Sequence, residues 1–384
     1  MRKPGALTPI AGVAAAGLAS LFAGLLDQRT LIPLARPIVQ PAAPTIAIAA
    51  RDDALTFARL ADGRTIAVFS YRDGVVSGAP IGEDDAIAII NRLGYDGTKA
   101  LIDSASARID VAAAELAPPV ALNDRHIAAG ANYREHAREA SVTEGPFLFP
   151  KYAAPTASRA PVRAGDGLLD YEVELCLVAM TPIRSDAPAN GGLILCNDFT
   201  DRARLLREID PDDPRSGKGF TDGKSAETFL PVGDLFVAPR DLAAFVSTLT
   251  LQLSVDGAER QRAGVGEWIW DLDRILEEAR ARRDVVWTHD GGEARLPFDE
   301  TGAVAARTMI LAGTPGGTVF RGIYPSAYAQ GLGLWIAGGF RGALPEKVIA
   351  AHIRAARASR DYLQPGALVT IEVDRMGALA NRVE

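Results

Sequence analysis

From Asp170 to Val178 the chain reads DYEVELCLV, an alternation that an extended strand turns into two different faces. Tyr171, Val173, Leu175 and Leu177 share one face, and Glu172, Glu174 and Cys176 share the other. Two glutamates at this spacing hold their carboxylates about 6.6 Å apart. At an effective dielectric of about 20 they repel by roughly 2.5 kcal/mol. Buried, such a pair demands a cation or a proton; exposed, it is the wet face of an edge strand. Oxygen ligands of this kind select magnesium, calcium or manganese ahead of zinc.

The rest of the chain has the means to bury that strand. It has 384 residues, 48% of them hydrophobic, enough for one large domain or two moderate ones. A net charge of -7 with no basic block argues against nucleic acid as a partner. The two cysteines, Cys176 and Cys196, sit in apolar strand-like runs without metal-ligand spacing. Buried thiols are the expectation, with a disulfide left open. Lysine occurs only at positions 3, 99, 151, 218, 224 and 347, so each one draws notice against an arginine-rich background.

The chain begins Met1-Arg2-Lys3 and continues into an uncharged run from Ile10 to Leu26. A basic end before an apolar stretch is the pattern of an export signal or a membrane anchor, and predicts membrane contact through residues 10–26. A cytoplasmic protein with a docked N-terminal helix is the alternative. Leu31 to Pro44 contains Pro33, Pro37, Pro41 and Pro44 and no glycine, which suits an extended tether. The expected organisation is therefore a signal-like segment and tether over 1–44, a small domain over 45–118 and a catalytic domain over 119–384. In the small domain, two apolar runs flanking Asp62-Gly63 read as a hairpin and Asp84 to Leu93 as a helix.

Four further stretches offer chemistry. In NYREHARE, His136 and Glu139 lie three apart on one helix face, where the carboxylate can orient the imidazole as a base for water. The apolar run ending in Asn197-Asp198 brings a carboxylate to a strand end, where it can complete a ligand set with Glu172 and Glu174. In GKGFTDGKS, Lys218 and Lys224 can meet negative charge on a substrate, although the spacing is not that of a phosphate loop. Gly313-Thr314-Pro315-Gly316-Gly317 is a tight turn whose amides and hydroxyl suit a carboxylate.

In this order the motifs resemble those of the fumarylacetoacetate hydrolase (FAH) family. The resemblance runs through GANYREHARE, FLFPK, DYEVEL, ND, GKSAETFLPVG, Gln261, AGTPGG and the closing LQPG and MGALANRV, from Pro118 to Val383. It implies an α+β, mostly β fold, with a mixed β-roll catalytic domain after a small β-rich N-terminal domain, commonly in homodimers. It implies magnesium or manganese on Glu172, Glu174 and Asp198, His136 and Glu139 as base and partner, Lys224 as a catalytic and substrate-binding lysine, and Thr314 as a substrate ligand. Ala203 departs from the family's usual acid after the arginine, here Arg202. Thr318 to Tyr362 is a longer excursion than small members need.

The implied activity is metal-dependent hydrolysis of a carbon-carbon bond in an acylpyruvate or fumarylacetoacetate-like 1,3-dicarbonyl acid. Hydration, decarboxylation or tautomerisation of a 2-oxo acid would use the same centre. A carboxylate-rich protein that binds a metal or ligand without turnover is a second class, against which the His136-Glu139 pair speaks. No G-x-S-x-G elbow for a serine hydrolase is present in the sequence.

Overall fold

The computed structural model describes residues 43–384, apart from 141, 143, 185–188 and 211–212. Strands β1 (Ala54–Leu60) and β2 (Thr65–Arg72) form the expected hairpin around Asp62-Gly63, and β3 (Val75–Gly82) and β4 (Ile109–Ala112) extend it antiparallel. Helix α1 (Ala86–Ser104) separates β3 from β4 in the chain. Asp85 starts it: its carboxylate accepts the Ala88 N–H at 3.0 Å, satisfying an amide that the first turn leaves open. The short strand β5 (Leu116–Ala117) pairs with β1 just before Pro118-Pro119.

The strands that carry the motifs continue the same sheet. They are β6 (His126–Gly130), β7 (Phe147–Lys151), β9 (Val173–Val178), β10 (Gly192–Asn197), β12 (Phe236–Pro239) and β17 (Met309–Leu311). The order is β4-β3-β2-β1-β12-β10-β9-β17-β6-β7, antiparallel throughout except for the parallel pair β17 and β6. A two-stranded pairing joins β8 (Leu169–Asp170) to β11 (Thr200–Asp201). A second antiparallel sheet, β14-β13-β18-β19, is built from β13 (Thr250–Val255), β14 (Ala258–Gly264), β18 (Leu368–Val373) and β19 (Gly377–Arg382). The first of its turns is Asp256-Gly257. Strands β15 (Trp287–His289) and β16 (Gly292–Ala294) make a ribbon of their own.

The alternation in DYEVELCLV is realised as two buried faces. Val173, Leu175 and Leu177 join one hydrophobic core with strands of the second sheet, while Cys176 and Val178 join another beneath α1. A strand buried on both sides has no wet edge, so the edge-strand reading fails for Glu174. The strand also differs from expectation in being interrupted. The ladder breaks at Tyr171 and Glu172, where the Glu172 N–H is taken at 2.9 Å by the Asn197 side chain, not by a neighbouring strand.

Cys176 and Cys196 are joined in a disulfide, correcting the expectation of two buried thiols. Strands β9 and β10 are antiparallel neighbours in a register that sets Cys176 opposite Ile194 and Cys196 opposite Glu174. The two cysteines are thus diagonal neighbours with Cα atoms 6.5 Å apart, a relation that the linear spacing of 20 residues does not reveal.

Helices α2 (Arg134–Glu139), α3 (Arg202–Glu208) and α4 (Phe220–Lys224) surround the open end of β9, and α5 (Leu242–Val246) and α6 (Leu272–Ala281) follow in the chain. The excursion after the GTPGG turn is a helical hairpin, α7 (Pro325–Ala337) against α8 (Leu344–Ser359). Gly331 lets the two helices approach, since a Cβ there would meet the Val348 backbone at 2.6 Å. The apolar run Ile10–Leu26 lies outside the described residues. Among the described residues no helix is long and apolar enough to cross a membrane.

Candidate active site

Glu172, Glu174 and Asp198 meet where β9 and β10 end. One carboxylate oxygen from each lies within 4.8 Å of the others, and all three side chains are buried. The register explains the meeting: β10 runs antiparallel to β9, so the residues after Asn197 return beside the residues before Val173. The Asp198 N–H donates to the Glu172 carbonyl at 2.9 Å, locking the two acids together through their backbones.

Three cations surround this cluster. Lys224 Nζ lies 2.8 Å from Glu172 Oε2 and 2.8 Å from Asp198 Oδ2. Lys151 Nζ lies 2.5 Å from Asp198 Oδ1 and also donates to the carbonyls of Lys224 and Phe229. Arg202 binds Glu172 through Nη2 and Asp170 through Nε, the latter at 2.9 Å. Asp170 in turn accepts the N–H groups of Val319 and Phe320 at 2.9 and 3.1 Å, which ties the start of the long excursion to the site.

The acids respond differently to this field. Burial opposes charge on Glu172, but Lys224 and Arg202 outweigh it and hold the carboxyl well below its usual range. Burial, reinforced by the charges of Asp198 and Glu172, pushes Glu174 well above that range. Lys224 is pulled down by burial and held up more strongly by Asp198 and Glu172, so its net shift is upward. With all four ionised, Asp170, Glu172, Glu174 and Asp198 facing Lys151, Lys224 and Arg202 sum to a formal charge of -1, and burial favours relieving it by a proton on Glu174. A divalent cation among the three clustered acids would turn that sum positive. The donor set, all oxygen and short of positive charge, fits magnesium or manganese.

His136 and Glu139 stand on α2 as the spacing predicts, and His136 lines the same cavity as Glu172 and Asp198. They do not hydrogen-bond: His136 Nδ1 is 3.9 Å from Glu139 Oε2. That oxygen accepts the Gly317 N–H at 2.9 Å instead, so the carboxylate is shared between the helix and the GTPGG turn. Thr314 is buried in the cavity wall, its Oγ1 accepting from Gln261 Nε2 at 2.9 Å. Gln261 also donates to the Pro315 carbonyl and accepts the Val173 N–H, coupling the turn to the diacid strand.

Glycine at 313 is required by geometry. Its φ is +92°, a Cβ there would meet the Asn132 Cβ at 2.7 Å, and its N–H donates to Glu174 Oε2 at 2.8 Å. Asn132 braces this approach, donating to the Trp270 and Ala312 carbonyls and accepting the Trp270 N–H.

Of the two lysines in GKGFTDGKS, only Lys224 comes to the site; Lys218 is exposed. The residues missed in the sequence are Lys151, Asp170 and Arg202. Lys151 carried a usable signal, being one of few lysines and the last residue of an apolar strand. Asp170 and Arg202 carried none, because nothing local distinguishes a buried ion pair 32 residues apart from two surface charges.

Above the cluster opens a cavity of about 490 Å³, walled by β7, α3, α4 and the α7-α8 hairpin. The architecture is mostly β, with a buried carboxylate centre at the floor of a largely apolar cavity, the form of a small-molecule site. Residues 125–384 match the sequence model for the fumarylacetoacetate (FAA) hydrolase C-terminal domain, and the chain belongs to this family.

An uncharacterised protein of Pyrococcus abyssi is 26% identical over 232 residues, covering 58% of this chain and 89% of its own. The human mitochondrial oxaloacetate tautomerase FAHD2B is 26% identical over 170 residues, covering 41% of this chain and 51% of its own. The chain thus spans about half the length of that curated relative. A maleylpyruvate hydrolase from Sphingobium sp. SYK-6, solved with manganese(II) and pyruvate, shares the fold at a TM-score of 0.52 and 18% identity, over 85% of this chain and 98% of its own.

These relatives bear on localisation as well. The expectation of an exported or membrane-anchored protein, with membrane contact through residues 10–26, is corrected. The human relative is named as mitochondrial, and no membrane-crossing helix exists among the described residues. The basic end and apolar run suggested an anchor, but a run so rich in alanine and glycine is a weak membrane signal.

Proposed function

We propose that this protein is a divalent-metal-dependent hydrolase that cleaves the carbon-carbon bond of an acylpyruvate-like 1,3-dicarbonyl acid. The observation that carries this reading is the buried Glu172-Glu174-Asp198 cluster facing His136 across one cavity. Glu172, Glu174 and Asp198 would hold magnesium or manganese, and the chemistry such an ion supplies when bound is polarisation of keto oxygens. The manganese and pyruvate bound by the related maleylpyruvate hydrolase support this assignment.

In this reading His136 takes a proton from water, whose oxygen bonds to the distal carbonyl carbon. Glu139, 3.9 Å away, stabilises the imidazolium; such contacts commonly tighten once substrate is bound. The bond between that carbon and the central methylene breaks, and the methylene carbon keeps the electron pair. His136 returns a proton to it, giving pyruvate and a carboxylic acid. Lys224 offsets the negative charge that develops, and Thr314 and its turn hold the substrate carboxylate.

The relation to an oxaloacetate tautomerase supports a second reading, proton transfer on a 2-oxo acid at the same centre without bond cleavage. A homodimer belongs to the same proposal and is tested by light scattering. The deciding experiment assays acetopyruvate and oxaloacetate with added manganese, with magnesium and with chelator. Metal-dependent release of pyruvate from acetopyruvate is expected; metal-dependent tautomerisation of oxaloacetate alone selects the second reading. Wild-type rates in both His136→Ala and Glu172→Ala would sink both.

A further inference from the structure

The cavity above the carboxylate cluster has a charged floor and an apolar shaft. His136, Glu172, Asp198, Arg202 and Lys224 supply its charged lining, all at the floor. Arg202 and Lys224 are already committed to Asp170, Glu172 and Asp198. Above them, among the described residues, no charged side chain lines the cavity.

The shaft is made from two sides. Phe149, Phe220 and Leu206 face it from the core of the fold, with Phe149 and Phe220 packed at 5.3 Å between ring centroids. Leu344, Val348 and Ile349 face it from α8 of the helical hairpin. The hairpin is fixed over the floor by the Asp170 carboxylate, which holds the backbone of Val319 and Phe320, and Arg202 stacks over the Phe320 ring at 5.4 Å. The insertion therefore completes the apolar wall of the site.

We infer that the substrate is a 2,4-dioxo acid carrying an extended uncharged alkyl or aryl group on its distal carbonyl, with α8 selecting that group. This deepens the hydrolase reading above and rests on it. A chain buried in the shaft leaves water without losing a hydrogen bond. A second carboxylate at the far end would be stripped of water with no cation to meet it. The shaft thus rejects dicarboxylic substrates that the floor alone would accept.

The test uses the full chain supplied with manganese(II). One arm measures kcat/KM for acylpyruvates bearing methyl, propyl, pentyl and phenyl groups, and a pentyl chain ending in a carboxylate. The expected result is a rise approaching fourfold per buried methylene through pentyl, efficient turnover of phenyl, and a carboxylate-ended member at least a hundredfold below its pentyl partner. Ile349→Lys is expected to lower pentyl turnover tenfold or more and to raise that of the carboxylate-ended member. Ile349→Ala, with its melting temperature measured beside it, separates loss of the wall from loss of the fold.

The second arm reads binding without turnover, by calorimetry of 2-oxooctanoate and its ω-carboxylate analogue. Tighter binding of 2-oxooctanoate, lost in Ile349→Lys, supports selection of an uncharged chain by α8; if no acylpyruvate is then cleaved, the hydrolase reading and the 2,4-dioxo substrate fall while that selection stands. Equal or preferred use of the methyl or carboxylate-ended compounds, or no preference in binding, overturns the inference while leaving the hydrolase reading intact.

Discussion

Lys151 Nζ lies 2.5 Å from Asp198 Oδ1, and neither side chain is more than 1% exposed. The lysine ends β7 and the aspartate follows β10, so the contact joins two strands of one sheet that are not neighbours in it. Burial pulls the lysine's pKa down, yet Asp198 and two carbonyls fully occupy its ammonium.

Removing Lys151 leaves Asp198 paired with Lys224 but takes a donor from one Asp198 oxygen and from the carbonyls of Lys224 and Phe229 in a dry site. Lys151→Met is expected to cost on the order of 1–3 kcal/mol of stability. The double variant Lys151→Met/Asp198→Asn should recover a large part of that loss. Urea denaturation of the wild type, both single variants and the double variant closes the cycle; additive losses would refute the coupling.

Metal should act as a stabilising ligand. Manganese at a hundred times its Kd is expected to raise stability by about 2.7 kcal/mol, read as a higher Tm, and chelator should reverse it. Glu172→Gln, Glu174→Gln and Asp198→Asn should each weaken binding by more than the ten- to hundredfold typical of outer partners. Calorimetric titration measures this, and unchanged affinity in all three variants would place the ion elsewhere.

Asp234 gives stability a pH dependence away from the site. Its carboxyl is buried, and burial pushes its pKa up to about 6 even though Tyr71 Oη at 2.5 Å and the Ala378 N–H at 2.9 Å donate to it. A group whose folded pKa is raised binds its proton more tightly when folded. Its stabilising effect is therefore full below the unfolded pKa of about 3.9 and lost as pH rises through about 6. The swing is on the order of 3 kcal/mol, and Asp234→Asn should flatten the curve of Tm against pH between 4 and 7.

Gly313→Ala should damage both fold and site. The positive φ and the 2.7 Å approach to Asn132 predict a loss of about 1–3 kcal/mol. Any shift of the turn also moves the N–H that holds Glu174 and the hydroxyl of Thr314. A thermal melt and a manganese titration on the same sample would show the two effects together; a neutral result in both would mean the turn relaxes freely.

Patterning along the chain was enough for the elements that announce themselves locally. The hairpin around Asp62-Gly63, the strand through Val173 to Val178 and the turn at 313–317 follow from periodicity and turn chemistry, because each depends on residues within a few positions of one another, and motif order along the chain singled out Glu172, Glu174, Asp198, His136 and Lys224. Tertiary structure alone decided the rest. It set Cys176 diagonal to Cys196, brought Lys151 and Arg202 to the acids, gave Glu139 to the Gly317 amide in place of His136, and folded the excursion into an apolar wall above a charged floor. These are relations between distant segments, fixed by strand register and by which buried charge can find a partner, and burial and pairing acquire values only once the chain has closed on itself.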